Sequence, residues 1–241
     1  MKTEGLIIIP AYNESNNIAR VLEGIRQLDY NLDIVVVDDG STDGTADVVK
    51  NMGETVIRHF YNIGYGGALQ TGFKYALDRG YEYVVQFDAD GQHDPADIER
   101  LVARVRGGGV DIVIGSRFLG SSFAPGFWKK KVIEVFRFLI RHFTGVTVTD
   151  PTSGLQALSR RAFENYAAMG NFPEDFPDAD TLIWMLRRNY RVAEVPAHIK
   201  QRISGQSMHK GLKSLYYLSK MSVSIFVVLV RSRLGERRNT T

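Results

Sequence analysis

A chain of 241 residues with 44% hydrophobic side chains is long enough for one large domain with a sizeable core. The absence of cysteine excludes a disulfide scaffold and a thiolate zinc centre, and suits a reducing compartment. The net charge of +3 conceals an asymmetry: from Lys200 onward nine basic residues meet the single acid Glu236, a net +8, while the other 21 basic and 26 acidic residues carry −5. A basic tail on a mildly acidic body points to an anionic partner: membrane lipid, nucleic acid or phosphate.

In chain order, Leu6-Ile7-Ile8-Ile9 reads as a buried strand stopped by Pro10. No secretory signal is read before it. Ser15 is a candidate cap for a helix whose apolar stripe is Ile18, Val21, Leu22, Ile25 and Leu28. Ile34-Val35-Val36-Val37 is a second strand, ending in Asp38-Asp39-Gly40-Ser41, and Thr42 or Asp43 can cap a short helix through Val49. A third strand over Thr55–Ile57 precedes the glycine run Gly64–Gly67 and a helix from about Ala68 to Leu77. That run could cradle phosphate, but it lacks a P-loop lysine and serine, which favours packing.

The stretch Val84-Val85-Gln86-Phe87-Asp88-Ala89-Asp90-Gly91-Gln92-His93-Asp94 carries the chemistry. If the strand persists to Asp90, both carboxylates project to one side. Two anions so placed call for a cation, and hard divalent ions are often held by one or two carboxylates plus a substrate's phosphates. On spacing alone a metal site and a solvated Asp-rich turn both remain open. An EF-hand fits less well, because Gly91 comes too early and a strand-like run precedes Asp88.

A helix opened by Asp94-Pro95 follows, then a buried strand over Val110–Ile114 closed by Gly115-Ser116-Arg117. Alternation of strand and helix predicts a mostly parallel sheet with helices on both faces. Beyond it, Phe118–Trp128 reads as a loop and Lys129–Phe143 as a basic amphipathic helix. Thr147–Thr149 and Leu155–Leu158 read as strands flanking Asp150-Pro151-Thr152-Ser153-Gly154. A helix over Ala179–Arg188 and a strand over Val192–Val195 follow.

Five motifs stand in order: Pro10-Ala11-Tyr12-Asn13-Glu14, Asp38-Asp39-Gly40-Ser41, Asp88-Ala89-Asp90, Gly115-Ser116-Arg117 and Asp150-Pro151-Thr152-Ser153-Gly154. Together they resemble the family 2 glycosyltransferases over nearly the whole chain. The resemblance implies an α/β GT-A fold, one Rossmann-like nucleotide-binding half fused to an acceptor half. The branch most similar is that of the polyprenyl-phosphate sugar transferases of the dolichol-phosphate mannose synthase type. It is carried by Arg202-Ile203-Ser204-Gly205-Gln206-Ser207. One departure is Met208, where many members have lysine, with Lys210 two residues on.

The resemblance implies an inverting transfer from a UDP- or GDP-sugar, assisted by Mg²⁺ or Mn²⁺, to a polyprenyl phosphate. It places Pro10, Tyr12, Glu14, Asp39, Asp88, Ala89 and Asp90 at the nucleotide-sugar. Asp90 and Gln92 would meet the metal, with Asp88 on metal or ribose. Arg117, at a buried strand's end, is expected to clamp a phosphate or to pair with a neighbouring carboxylate. Arg202 and Lys210 join it as acceptor-phosphate residues. Asp178, with Asp180 two residues later, is a candidate base, orienter or helix cap.

The expected domains are 1–209, divided into a donor half (1–117) and an acceptor half (118–209), and a tail (210–241). In the tail an apolar run over Met221–Val230 is too short to span a bilayer but is bounded by basic residues. It suits a helix lying on an anionic membrane at the inner face of the cytoplasmic membrane, with packing on this chain or in a homo-oligomer as the alternative. The rival functions are transfer to a saccharide hydroxyl and a non-enzymatic nucleotide- or membrane-binding module. The tail has no recognised nucleic-acid motif.

Overall fold

The computed structural model describes residues 3–28, 31–120, 123, 125–168, 172–173 and 179–200. The elements are β1 (Gly5–Ala11), α1 (Ser15–Arg26), β2 (Leu32–Asp38), α2 (Thr45–Asn51), β3 (Thr55–Arg58), α3 (Tyr65–Arg79), β4 (Tyr83–Gln86) and α4 (Asp97–Arg106). They continue with β5 (Ile112–Ser116), α5 (Arg117–Gly120), α6 (Phe127–Thr144), β6 (Gln156–Ser159), α7 (Arg160–Ala167), α8 (Ala179–Arg187) and β7 (Val192–Pro196). The expected tail helices, and with them Asp178, Arg202 and Lys210, lie outside the described residues.

The seven strands form one sheet in the order β3-β2-β1-β4-β6-β5-β7. Every neighbouring pair is parallel except those made by β6, which is antiparallel to both β4 and β5. Both expected halves therefore share one sheet. Alternate residues of each strand feed two cores, as a sheet covered on both faces requires. Leu6, Ile8, Val35, Val37 and Val84 pack with Phe73, Phe136, Phe163 and Ile183, beneath α3, α6, α7 and α8. Ile7, Ile9, Ile34, Val36 and Val85 pack with Ile18, Leu22, Val49 and Leu101, beneath α1, α2 and α4. Gly72 lets α3 lie directly on Ile8, whose side chain occupies the space a β-carbon would need.

Three local expectations change, and α7 is a helix that none foresaw. β1 runs through Pro10 rather than stopping there. In a parallel strand the residues alternate in which neighbour they bond, and Pro10 shares parity with Ile8, which faces β4. The ladder to β4 ends at Ile8, so the missing N–H of Pro10 forfeits no bond. Thr147–Thr149 is not a strand: Thr149 donates its N–H to Glu194 and its carbonyl accepts from Arg137, so side chains replace a ladder. Ser15 is the first residue of α1, not its cap; its N–H is met by Asp43. Helix α7 had no sequence expectation, yet Ser159 Oγ accepts from Ala162 N as its cap.

Candidate active site

The chain passes from β1 outward to β2 and β3, then returns to β4 on the other side of β1. Open α/β sheets bind ligands at such a reversal, outside the C-terminal strand ends. That edge collects the motifs. Ala11 is in register with Asp38 and Ile8 with Gln86, so Tyr12, Asp39 and Asp88 all leave their strands on one side of the sheet. Because β6 runs backwards, the loop that precedes it, Asp150–Gly154, lies at the same edge as Arg117, which follows β5.

The donor side is laced together by short bonds. Asn13, at φ 55°, donates its N–H to Ser41 Oγ and accepts through Oδ1 from Thr42 N. Glu14 N donates to Thr45 Oγ1, and Asn17 donates to the Glu14 carboxylate at 2.6 Å. Tyr12 is about half exposed (49%), a ring free of the core at the mouth of the crevice. Asp39 is buried. One carboxylate oxygen accepts from Ile63 N and stands 2.7 Å from His59 Nδ1, and the other accepts from Gly64 N. Asp39 thus fixes the turn that starts α3, and the glycine run is that helix's first turn rather than a phosphate cradle.

The ladder of β4 ends at Gln86, short of the expected Asp90. The in-out alternation nevertheless continues: Phe87 and Ala89 are buried in the core, while Asp88 and Asp90 are partly exposed. The side chain of Ala89 is therefore packing, and only its main chain borders the site. Asp88 Oδ1 accepts from the Tyr65 hydroxyl at 2.9 Å, and Oδ2 stands 3.3 Å from Nε2 of the buried His93. Burial pushes the Asp88 carboxyl up, but the His93 and Tyr65 hydrogen bonds and the Arg117 charge outweigh it and hold the group below the usual carboxylate range. Asp90 Oδ1 accepts from Gln92 N at 3.0 Å, and Gln92 O accepts from Lys200 N. Gly91, at φ +70°, lies under the Arg20 guanidinium.

Arg117 is buried and its fork closes on Asp150, Nε to Oδ2 and Nη2 to Oδ1, both at 2.7 Å. Nη2 also reaches the Thr152 carbonyl and hydroxyl. The paired-carboxylate alternative is thus the one the geometry takes. A buried guanidinium requires a partner, and Asp150, with no exposed surface, supplies both oxygens. Glu194 accepts from Thr149 N and Asp150 N, and Ser153 donates to Gly115 O, so the loop is held from β5 and β7 together. Asp180 is buried at the start of α8 and accepts from Thr181 N.

Residues 6–167 match the model of Glycosyl transferase family 2. The chain belongs to that family. It is a glycosyltransferase. The polyprenol monophosphomannose synthase of Mycolicibacterium smegmatis is 31% identical over 215 residues, covering 86% of this chain and 81% of its own length. The UDP-N-acetylglucosamine–dolichyl-phosphate N-acetylglucosaminyltransferase of Methanococcus voltae is 30% identical over 249 residues, covering 95% and 96%. The sheet and its flanking helices also superimpose on glucosyl-3-phosphoglycerate synthase of Mycobacterium tuberculosis, solved with Mn²⁺, UDP and glucosyl-3-phosphoglycerate. That match has a TM-score of 0.65 and 22% identity over 95% of this chain and 80% of that one, and shows the GT-A fold.

The residues at the edge suit the divalent ion of such a glycosyltransferase. Asp88, Asp90 and Gln92 are hard oxygen donors on one loop. The Asp88 carboxylate occupies the space beside Gly154 that a β-carbon would need. Among the described residues no three acidic or histidine side chains converge into a closed cage. An open pair of carboxylates completed by substrate phosphates is the arrangement Mg²⁺-type ions use.

Sequence reasoning assigned no individual role to Tyr65, His93, Gly154 or Glu194. His93 stands three residues beyond Asp90, and Glu194 is an acid inside an apolar strand, so both carried a signal. Tyr65 and Gly154 acquire their roles only when distant loops meet.

Proposed function

We propose that this family 2 glycosyltransferase transfers one sugar, with inversion, from a UDP- or GDP-sugar to a polyprenyl phosphate at the cytoplasmic face of a membrane. The observation that carries the reading is the end-to-end similarity to a dolichyl-phosphate transferase, 95% of one chain on 96% of the other. Among the described residues no helix is long and apolar enough to cross a membrane.

In this reading the donor lies across the β1–β4 crevice. Tyr12 offers its ring to the nucleoside, beside Pro10, Glu14 and the Asp39-fixed turn. Asp90 and Gln92, with Asp88 alongside, would hold Mg²⁺ or Mn²⁺; bound at the diphosphate, such an ion offsets the charge that develops as the nucleotide departs. Tyr65 and His93 keep Asp88 ionised and aimed. Arg117 acts through Asp150, setting the 150–154 loop against Asp88. A phosphate acceptor is already ionised near neutral pH and needs no base to remove a proton. Arg202 and Lys210 are proposed to meet that phosphate from the chain beyond β7. Residues 1–117 then form the donor half, 118–209 the acceptor half and 210–241 a membrane-seeking tail.

The test is a panel of UDP- and GDP-sugars offered with Mg²⁺ or Mn²⁺ to a short polyprenyl phosphate, with the product read by mass. A glycosyl phospholipid is expected from at least one donor. Transfer to saccharide hydroxyls alone overturns the acceptor assignment.

A further inference from the structure

Helix α6 presents a solvent-exposed stripe of rings and basic side chains. Ile133, Phe136 and Ile140 are buried on its inner side, in the core it shares with α8. On its outer side Phe127, Lys130, Lys131, Val135, Phe138 and Arg141 are exposed. At about 100° per residue, Phe127, Lys131, Val135 and Phe138 fall on one narrow line along the helix. Phe127 is 66% exposed, Phe138 65% and Val135 46%. Phe138 stacks on His142 at 5.7 Å, so the aromatic surface continues for another turn. The helix carries five basic residues against one acid, Glu134, which Lys131 pairs at 2.9 Å. Apolar rings interleaved with lysine and arginine on one exposed stripe are the composition of a helix that rests in a bilayer interface.

We propose that this stripe docks the enzyme on an anionic membrane. Phe127, Val135 and Phe138 enter the acyl boundary, and Lys130, Lys131 and Arg141 sit among the head-group phosphates. Charge selects this occupant over the others. Residues 201–241 contain eight basic residues and one acid, so the chain's own tail and a helix of net +4 repel each other. A second copy meeting the first through the same stripe would set like charges face to face.

The position also suits the enzyme. Arg137, on the flank of α6, donates to the Thr149 carbonyl at 2.7 Å, and Phe123 lies between Lys129 and Arg117. A bilayer against α6 is therefore next to the loop that backs Asp88. The inference deepens the polyprenyl-phosphate reading, and rests on it for its purpose.

The cysteine-free sequence permits a direct test. Val135→Cys and Phe138→Cys, each labelled with an environment-sensitive fluorophore in the full chain, are mixed with vesicles of phosphatidylglycerol and phosphatidylcholine. Blue-shifted emission is expected at both sites, reversed by high salt and absent with phosphatidylcholine alone. A label at Lys74→Cys on α3 is expected to stay in water. Lys130→Gln with Lys131→Gln should weaken vesicle partition on the order of 30-fold, given the usual contribution of each lysine near an anionic surface. The melting temperature, and sugar transfer to a detergent-solubilised short acceptor, should stay unchanged.

The proposal is overturned if the full chain binds these vesicles while both labels remain in water, which would give the contact to the tail. It is also overturned if the full chain does not bind at all. If both labels shift but no donor is ever transferred to a polyprenyl phosphate, the functional reading fails and the docking face stands.

Discussion

The carboxylate of Asp88 rests directly against the α-carbon of Gly154: a β-carbon there would lie 2.9 Å from Oδ1 and closer still to Oδ2. The two residues are 66 positions apart in sequence, and the contact exists because antiparallel β6 begins where parallel β4 ends. Gly154 is not in the left-handed region, so alanine is tolerated by the backbone, and the nearest obstruction to its side chain is Asp88. Gly154→Ala should therefore keep the fold and displace the carboxylate. Misplacement of a supporting group commonly lowers activity about 10–100-fold. Donor consumption in single turnover is the measurement, and a wild-type rate would show that the position of Asp88 is immaterial.

Asp90→Ala should abolish metal-dependent binding of nucleotide-sugar and leave the melting temperature nearly unchanged, because a partly exposed strand-end loop carries little packing. Loss of leaving-group stabilisation should lower turnover about 10²–10³-fold. Donor titrations with and without Mn²⁺ distinguish this from a folding defect. Near wild-type turnover in excess metal would remove Asp90 from the metal site.

Arg117 and Asp150 should behave as a structural pair first. Removing one member leaves the other charge buried, which commonly costs about 3–5 kcal/mol. Asp150→Asn and Arg117→Met should each lower stability by that order in denaturant melts. The double replacement should recover part of the loss, because no uncompensated charge remains. Full stability in Arg117→Met, with activity lost, would instead return the guanidinium to a phosphate-binding role.

Asp43 supplies an acid-sensitive joint between the first two loops. Burial pushes its carboxyl up, but hydrogen bonds from Thr45 and Ser15 together outweigh this and lower it from the usual value of 3.8. A depressed folded value means that the ionised form stabilises the fold above the unfolded value, and that this support is lost as pH falls through the folded one. The side chain is exposed, so solvent screening leaves about 0.5–1 kcal/mol. Asp43→Ala should show that deficit at pH 7 and converge with the wild type once the pH has fallen well below 3.8. Parallel stability curves over that range would contradict the assignment.

The fold was legible because apolar runs such as Ile34–Val37 declare a strand buried on both faces, and the stripe Ile18, Val21, Leu22, Ile25 declares the helix between. Beyond the local changes at Pro10, Ser15, Thr147–Thr149 and α7, the direction of β6 was hidden, since four residues of Gln-Ala-Leu-Ser carry no orientation. At the site, the residue types at strand ends were visible but their partners were not. Arg117 looked available to a phosphate because nothing local reveals that Asp150 returns to it from 33 residues away. The partners of Asp39, Ile63 N and Gly64 N, come from 24 and 25 residues further on, and no local pattern announces them. Local pattern marks which groups are charged at an edge. Which of them the fold itself uses depends on contacts between distant loops.

The acceptor can be decided at the acidic pair near α8. Asp180 is buried and bonded to the start of its own helix, so its loss should be felt mainly as instability. Asp178 lies outside the described residues, and chemistry gives it two different fates. A sugar hydroxyl must lose a proton as it attacks, and deleting the base that takes it commonly lowers the rate about 10²–10⁴-fold. A lipid phosphate attacks as an anion and loses no proton. If the acceptor is a polyprenyl phosphate, Asp178→Asn should keep appreciable turnover at every pH where the phosphate is ionised, while Arg202→Ala should raise the acceptor KM sharply. A loss of two or more orders of magnitude in Asp178→Asn, with donor affinity intact and the melting temperature unchanged, would assign the residue as a base. It would move the enzyme to saccharide acceptors.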